Sequence, residues 1–168
     1  MPFHSPPRGF SLIELIVVVV IVAVLALAVT LSIGGGAERQ LSREAERFEA
    51  LVGQACAQAE LSGREIGIVV DRGGYSFQLL TADGWHDFPL EGPLRARQWV
   101  DGLGADLSRA GRRVDLVASA DAAPQLVCFS SGELTPFALT LTLGDAPHVR
   151  VSGAEDVTFK IERVGASP

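Results

Sequence analysis

Arg8-Gly9-Phe10-Ser11-Leu12-Ile13-Glu14-Leu15, carried on by an apolar run to Ile33, decides how this chain is built. From Phe10 to Ile33 only Ser11, Glu14, Thr30 and Ser32 interrupt the Val, Ile, Leu and Ala residues, and the run holds no Gly or Pro. At 1.5 Å per residue it makes a helix of roughly 35 Å, enough to cross a bilayer core of about 30 Å. Residues 1–9 (MPFHSPPRG) are polar and proline-rich, with Arg8 as the one sure cation. That cation before the run, and the acids after it, give a weak positive-inside signal. The N-terminus is expected in the cytoplasm and the rest of the chain across the membrane.

Glu14 is the anomaly. A carboxylate deep in a bilayer costs at least about 2.5–3.5 kcal/mol on insertion scales. It calls for a cation, and the apolar run contains no Lys, Arg or His. Cleavage after Gly9 would turn Phe10 into a free, positively charged amino terminus, four residues away and on the same helix face. In a stack of parallel helices, Glu14 of one subunit can meet the Phe10 amine of its neighbour. Such a buried pair adds little stability but fixes register. Two plainer readings compete. A general signal peptide cut at Ala26-Leu27-Ala28 sits poorly with Glu14 inside the apolar segment. An unprocessed single anchor leaves Gly9-Phe10 and Glu14 unexplained.

Beyond Gly34-Gly35-Gly36 the period changes. Leu41, Ala45, Phe48, Val52, Ala55 and Ala59 fall within an arc of roughly 80° on a helical wheel. Arg39, Arg43, Glu46, Arg47 and Glu49 lie mostly off that arc, and Arg43–Glu46 and Glu44–Arg47 are i,i+3 pairs. An amphipathic helix over 37–62 follows, stopped by Gly63, with its stripe against downstream strands. Strands are expected at 66–70, 75–81, 84–88, 96–100, 114–118, 125–130, 137–143, 148–152 and 157–163. Phe137, Leu139, Leu141 and Leu143 alternate with Ala138, Thr140 and Thr142, and Val157, Phe159 and Ile161 with Thr158, Lys160 and Glu162. Each set should bury one face and wet the other. Arg72-Gly73-Gly74 and Asp83-Gly84 read as hairpin turns. Residues 102–113 are the least regular stretch and read as a loop or short helix.

The expected fold class is therefore α+β. One long N-terminal helix packs its second half on an antiparallel β-sheet or β-sandwich. Three parts are drawn: a leader at 1–9, a helix at 10–62 (10–33 transmembrane, 37–62 amphipathic), and a β-rich exported domain at 63–168.

Composition removes other classes. Hydrophobic residues are 48 % of 168, too many for a globally disordered chain. Fourteen basic residues, Lys160 being the one lysine, are outnumbered by twenty acids, for a net charge of −6. No basic stripe exists for nucleic acid. His86-Asp87 with Ser130 and Ser131 forms no recognisable catalytic motif, and no G-x-S-x-G or H-E-x-x-H occurs. No enzyme activity, metal or cofactor is expected. Arg109, Arg112 and Arg113 read as a solvated cluster. Cys56 and Cys128 are too few for a disulfide framework. After export they would meet an oxidising compartment, and two buried thiols or one disulfide remain equally open.

The Gly9-Phe10-Ser11-Leu12-Ile13-Glu14-Leu15 sequence and the apolar helix behind it resemble the class III signal of type IV pilins and type II secretion pseudopilins. The resemblance implies cleavage after Gly9 by a prepilin peptidase, N-methylation of Phe10, and a role for Glu14 in assembly. Phe129-Ser130-Ser131-Gly132-Glu133-Leu134-Thr135-Pro136-Phe137 resembles the F-x-x-x-G-x-x-T-P-F pattern of the GspH/FimT group, with serines where relatives often carry Pro. This implies a pilin-like fold and a non-enzymatic subunit near the tip of the type II secretion pseudopilus, helping folded proteins leave across the outer membrane. Implied partners are the major pseudopilin G, the minor pseudopilins I, J and K, and the inner-membrane assembly platform. The alternative is a FimT/FimU-like minor pilin of a type IV pilus.

Overall fold

A computed structural model of the chain describes residues 12–33, 36–116 and 123–165, with backbone alone for 26–33. Two compact units emerge, 1–36 and 37–168. The first contains α1 (Leu12–Ile33), 22 residues long. Its large apolar side chains from Leu12 to Leu25 are all at least half exposed. A helix apolar on every side is made for a bilayer or a helix bundle rather than for one wet face. No helix among the described residues is long and apolar enough to cross a membrane. The described side chains, 12–25, account for only about 21 Å of helix, short of a span.

The second unit begins with α2 (Gly36–Ser62). Leu41, Ala45, Phe48, Val52, Ala55 and Ala59 are each fully buried, as the stripe requires. The helix ends at Gly63, whose φ of +64° suits a residue without Cβ, and Arg64 N–H closes back on the Ala59 carbonyl at 3.2 Å.

Among the described residues ten strands follow, in two five-stranded antiparallel sheets. The first orders β3 (Gly84–Asp87), β2 (Gly74–Thr81), β1 (Ile66–Val70) and β7 (Leu126–Cys128), while β4 (Arg97–Gln98) shares the outer edge of β2 with β3. The second orders β10 (Phe159–Val164), β9 (His148–Gly153), β8 (Phe137–Leu143), β5 (Leu103–Arg109) and β6 (Arg112–Val114). The 71–74 turn is built as expected: Asp71 Oδ1 accepts from Gly73 N at 2.6 Å and Gly74 N at 2.7 Å. Gly74 is obligatory, since a Cβ there would sit 2.0 Å from the Arg97 carbonyl oxygen.

Both sheets and α2 share one core. Phe48 is its pivot. Its ring meets Tyr75 of β2 edge-on at 5.0 Å, Phe137 of β8 edge-on at 5.9 Å and Trp99 at 6.1 Å. One helix side chain thus engages both sheets, in the T-shaped geometry the ring quadrupole favours.

The stretch 102–113 departs from expectation. It is neither loop nor helix but β5 and β6, with β5 the strand beside β8. Leu103 and Leu107 are buried opposite Leu143 and Leu139, and Gly104 and the small Ala105 dilute the alternation that would have marked the strand. The expected strand at 96–100 shrinks to two residues and that at 125–130 to three. Of 114–118 only Val114 is in a strand, and 117–118 lie outside the described residues. Val157 has φ +59° and turns the chain, so the last strand starts at Phe159.

Candidate functional site

Gly9 and Phe10 lie outside the described residues. Glu14 sits in the first turn of α1, exposed.

The second motif folds as a clasp between the sheets. Phe129 N–H donates to the Glu133 carbonyl at 2.8 Å and Gly132 N–H to the Phe129 carbonyl at 3.1 Å, with Gly132 at φ +86°. Thr135 then lies along β7: its N–H donates to the Val127 carbonyl at 2.9 Å, and its Oγ1 accepts from Val127 N–H at 3.1 Å. Leu134 N–H donates to the Glu155 carbonyl at 2.9 Å, just beyond β9. The patterned positions divide the local work: Gly132 makes a left-handed turn, the Thr135 hydroxyl closes a strand edge, and Pro136 leads into β8. Phe137 is core, whereas Phe129 is 36 % exposed because the turn lifts it off β7.

Cys56 of α2 and Cys128 of β7 are joined as a disulfide, their Cα atoms 4.8 Å apart. The Glu44–Arg47 pair forms at 2.6 Å, with Glu44 buried, and Arg47 also reaches the Gln98 carbonyl at 3.4 Å. Burial pushes the Tyr75 phenol above its usual range, and the Arg47 guanidinium partly offsets this. The helical wheel flagged the ion pair but not its burial, and Arg47 is also the side chain that reaches β4.

His86 and Asp87 are neighbours on β3, so their side chains take opposite faces, and Asp87 accepts from Gln78 Nε2 at 3.0 Å. Arg113 pairs with Asp106, and Arg109 donates to the Gln125 carbonyl at 2.7 Å. Among the described residues no group of three His, Cys, Asp or Glu is placed to hold a metal. The molecule offers an apolar helix for side-by-side packing and a disulfide-tied domain with surfaces for neighbours.

Residues 5–30 match the prokaryotic N-terminal methylation motif, and residues 44–156 match the type II transport protein GspH family. Type II secretion system protein H of Pseudomonas aeruginosa is 34 % identical, covering 94 % of this chain and 95 % of its own. The protein of the same description from Aeromonas hydrophila is 32 % identical over 82 % and 81 %. The crystal structure of the minor pseudopilin EpsH from the type II secretion system of Vibrio cholerae superposes with a TM-score of 0.64 at 29 % identity, covering 77 % of this chain and 98 % of that one. These matches favour type II secretion over the type IV pilus. The chain belongs to the type II transport protein GspH family, the minor pseudopilins of type II secretion.

Proposed function

We propose that this minor pseudopilin is a membrane-anchored, non-enzymatic subunit near the tip of the periplasmic pseudopilus. The observation that carries the reading is the Gly9-Phe10-Glu14 signature at the head of an apolar helix, joined to a GspH domain. Prepilin peptidase removes residues 1–9 between Gly9 and Phe10, and Phe10 is N-methylated. Residues 10–33 cross the inner membrane once. Residues 37–62 pack their apolar stripe on the β-rich domain, 63–168, in the periplasm.

Glu14 meets the Phe10 amine of an adjoining subunit and sets the stagger of the helices. The domain then makes lateral contacts with the minor pseudopilins I, J and K and the major pseudopilin G, while the assembly platform in the inner membrane drives insertion. The large apolar side chains of α1, all at least half exposed, support this, since they need lipid or other helices to cover them.

Two measurements test the reading. The intact mass of the mature chain should correspond to a start at Phe10 plus one methyl group; an intact leader or a start after Ala28 contradicts it. Glu14→Gln in the chromosomal gene should abolish secretion of folded substrates while the chain remains in the inner membrane. Undiminished secretion would remove Glu14 from assembly.

A further inference from the structure

Cys56 and Cys128 are the chain's two cysteines, 72 residues apart in sequence, and their bond ties α2 to β7 across the core. Cys56 is 4 % exposed and Cys128 is fully buried. Both belong to one core cluster with Val52, Ala55 and Ala59 of the helix and Ile66 and Leu126 of the sheet, all fully buried, and Ile66 is the cross-strand partner of Cys128. Thiol–disulfide exchange needs a third sulfur to reach the one attacked. In the folded domain no oxidant sulfur has that path. The stripe that blocks it belongs to α2, the element that closes the core.

We propose that the two thiols are oxidised before α2 closes on the first sheet, so that the newly exported, still open chain is the substrate of a disulfide-bearing oxidant, and closure then seals the bond. In the first step the thiolate of one cysteine attacks the oxidant's disulfide. A mixed disulfide forms and one oxidant sulfur leaves as thiolate. The second cysteine thiolate then attacks the chain's sulfur in that mixed disulfide. The Cys56–Cys128 bond forms and the second oxidant sulfur leaves. The two cysteines lose two electrons in all, the oxidant's disulfide gains them, and the two thiol protons end on the released dithiol. The class of reaction upstream of assembly is therefore protein dithiol oxidation. This order follows from burial and does not depend on the subunit's place in the pseudopilus.

The test uses the full chain in detergent micelles, with oxidised glutathione as the oxidant. The chain is reduced and unfolded in urea, then refolded with glutathione disulfide present from the start. In parallel it is refolded under reductant, freed of reductant and only then given the oxidant. Bond formation is read by maleimide trapping and folding by tryptophan fluorescence. The early oxidant should give complete oxidation. The late oxidant should react at least about 100-fold more slowly than with the unfolded chain, since reaction then requires opening of the core. Failure of the reduced chain to reach the native fluorescence until oxidised supports the same order. A reduced chain with native fluorescence that is oxidised as fast as the unfolded one overturns it. Cys128→Ser gives a second reading: the remaining Cys56 thiol should resist maleimide in the folded variant and react freely in urea. Equal labelling in both also overturns the order.

Discussion

Replacing Phe48 by alanine should cost about 4–5 kcal/mol, the upper part of the range for buried aromatic truncation. The ring is fully buried and its edge-on partners, Tyr75 and Phe137, belong to different sheets. For the cavity to collapse, both sheets would have to move toward α2, and their strand pairings oppose that. The loss of two T-shaped contacts adds to the transfer term. Against a total stability of about 5–15 kcal/mol, this removes a large share. At about 2.1 cal/mol/K per residue over about 130 residues, the midpoint should fall by about 16 °C. The compact unit 37–168 is the object to measure, by thermal unfolding for the midpoint and urea titration for the free energy. Trp99, 6.1 Å from Phe48 and 6 % exposed, reports directly on the affected packing. Leu61→Ala, at a position 89 % exposed, is the control and should stay within about 0.5 kcal/mol. A loss below about 1 kcal/mol for Phe48→Ala, with an unchanged denaturant slope, would show that the two sheets are not joined through this ring.

Gly74→Ala should destabilise the domain by about 1–3 kcal/mol, because the added methyl meets the Arg97 carbonyl and must push β4 off β2; Gly36→Ala, with open space around it, is the comparison, and equal denaturation midpoints would refute the contact. Tyr75, the chain's one tyrosine, has a phenol raised by burial, so the unfolded state loses its proton first. Stability from this group is present below the ordinary phenol pKa of about 10 and falls as pH rises beyond it. Urea midpoints measured on either side of that value should decline more steeply for wild type than for Tyr75→Phe, and parallel profiles would contradict the burial argument. Glu14→Gln, described above, should stop secretion with the anchor intact.

The parts legible in the sequence are those with a strong period or an anomalous charge. The α2 stripe from Leu41 to Ala59 reads at 3.6 residues because apolar residues recur against a charged background, and β8 from Phe137 to Leu143 reads at 2 because large side chains mark its inward positions. Residues 103–109 fail the same test: Ala105 stands where a large residue would have signalled β5, and the strand is held by pairing with β8 instead. Phe129 shows the opposite case. A large ring reads as core from its type alone, whereas the Gly132 turn decides where it points. The Cys56–Cys128 pairing could not be read at all, since it depends on the helix phase and the sheet register together. The stretch around Glu14 stood out because a lone acid in an apolar run has few physical explanations, and it lies within residues 5–30, which match the N-terminal methylation motif.

The divided edge of β2 has a practical use. β3 occupies one end and β4 the other, so the chain between them loops away at Leu90, which is 87 % exposed, before Leu94 returns to the core. Inserting a short epitope or a single dye-labelling site between Leu90 and Gly92 disturbs no ladder hydrogen bond and no buried side chain. That position gives a handle for imaging the subunit in living cells.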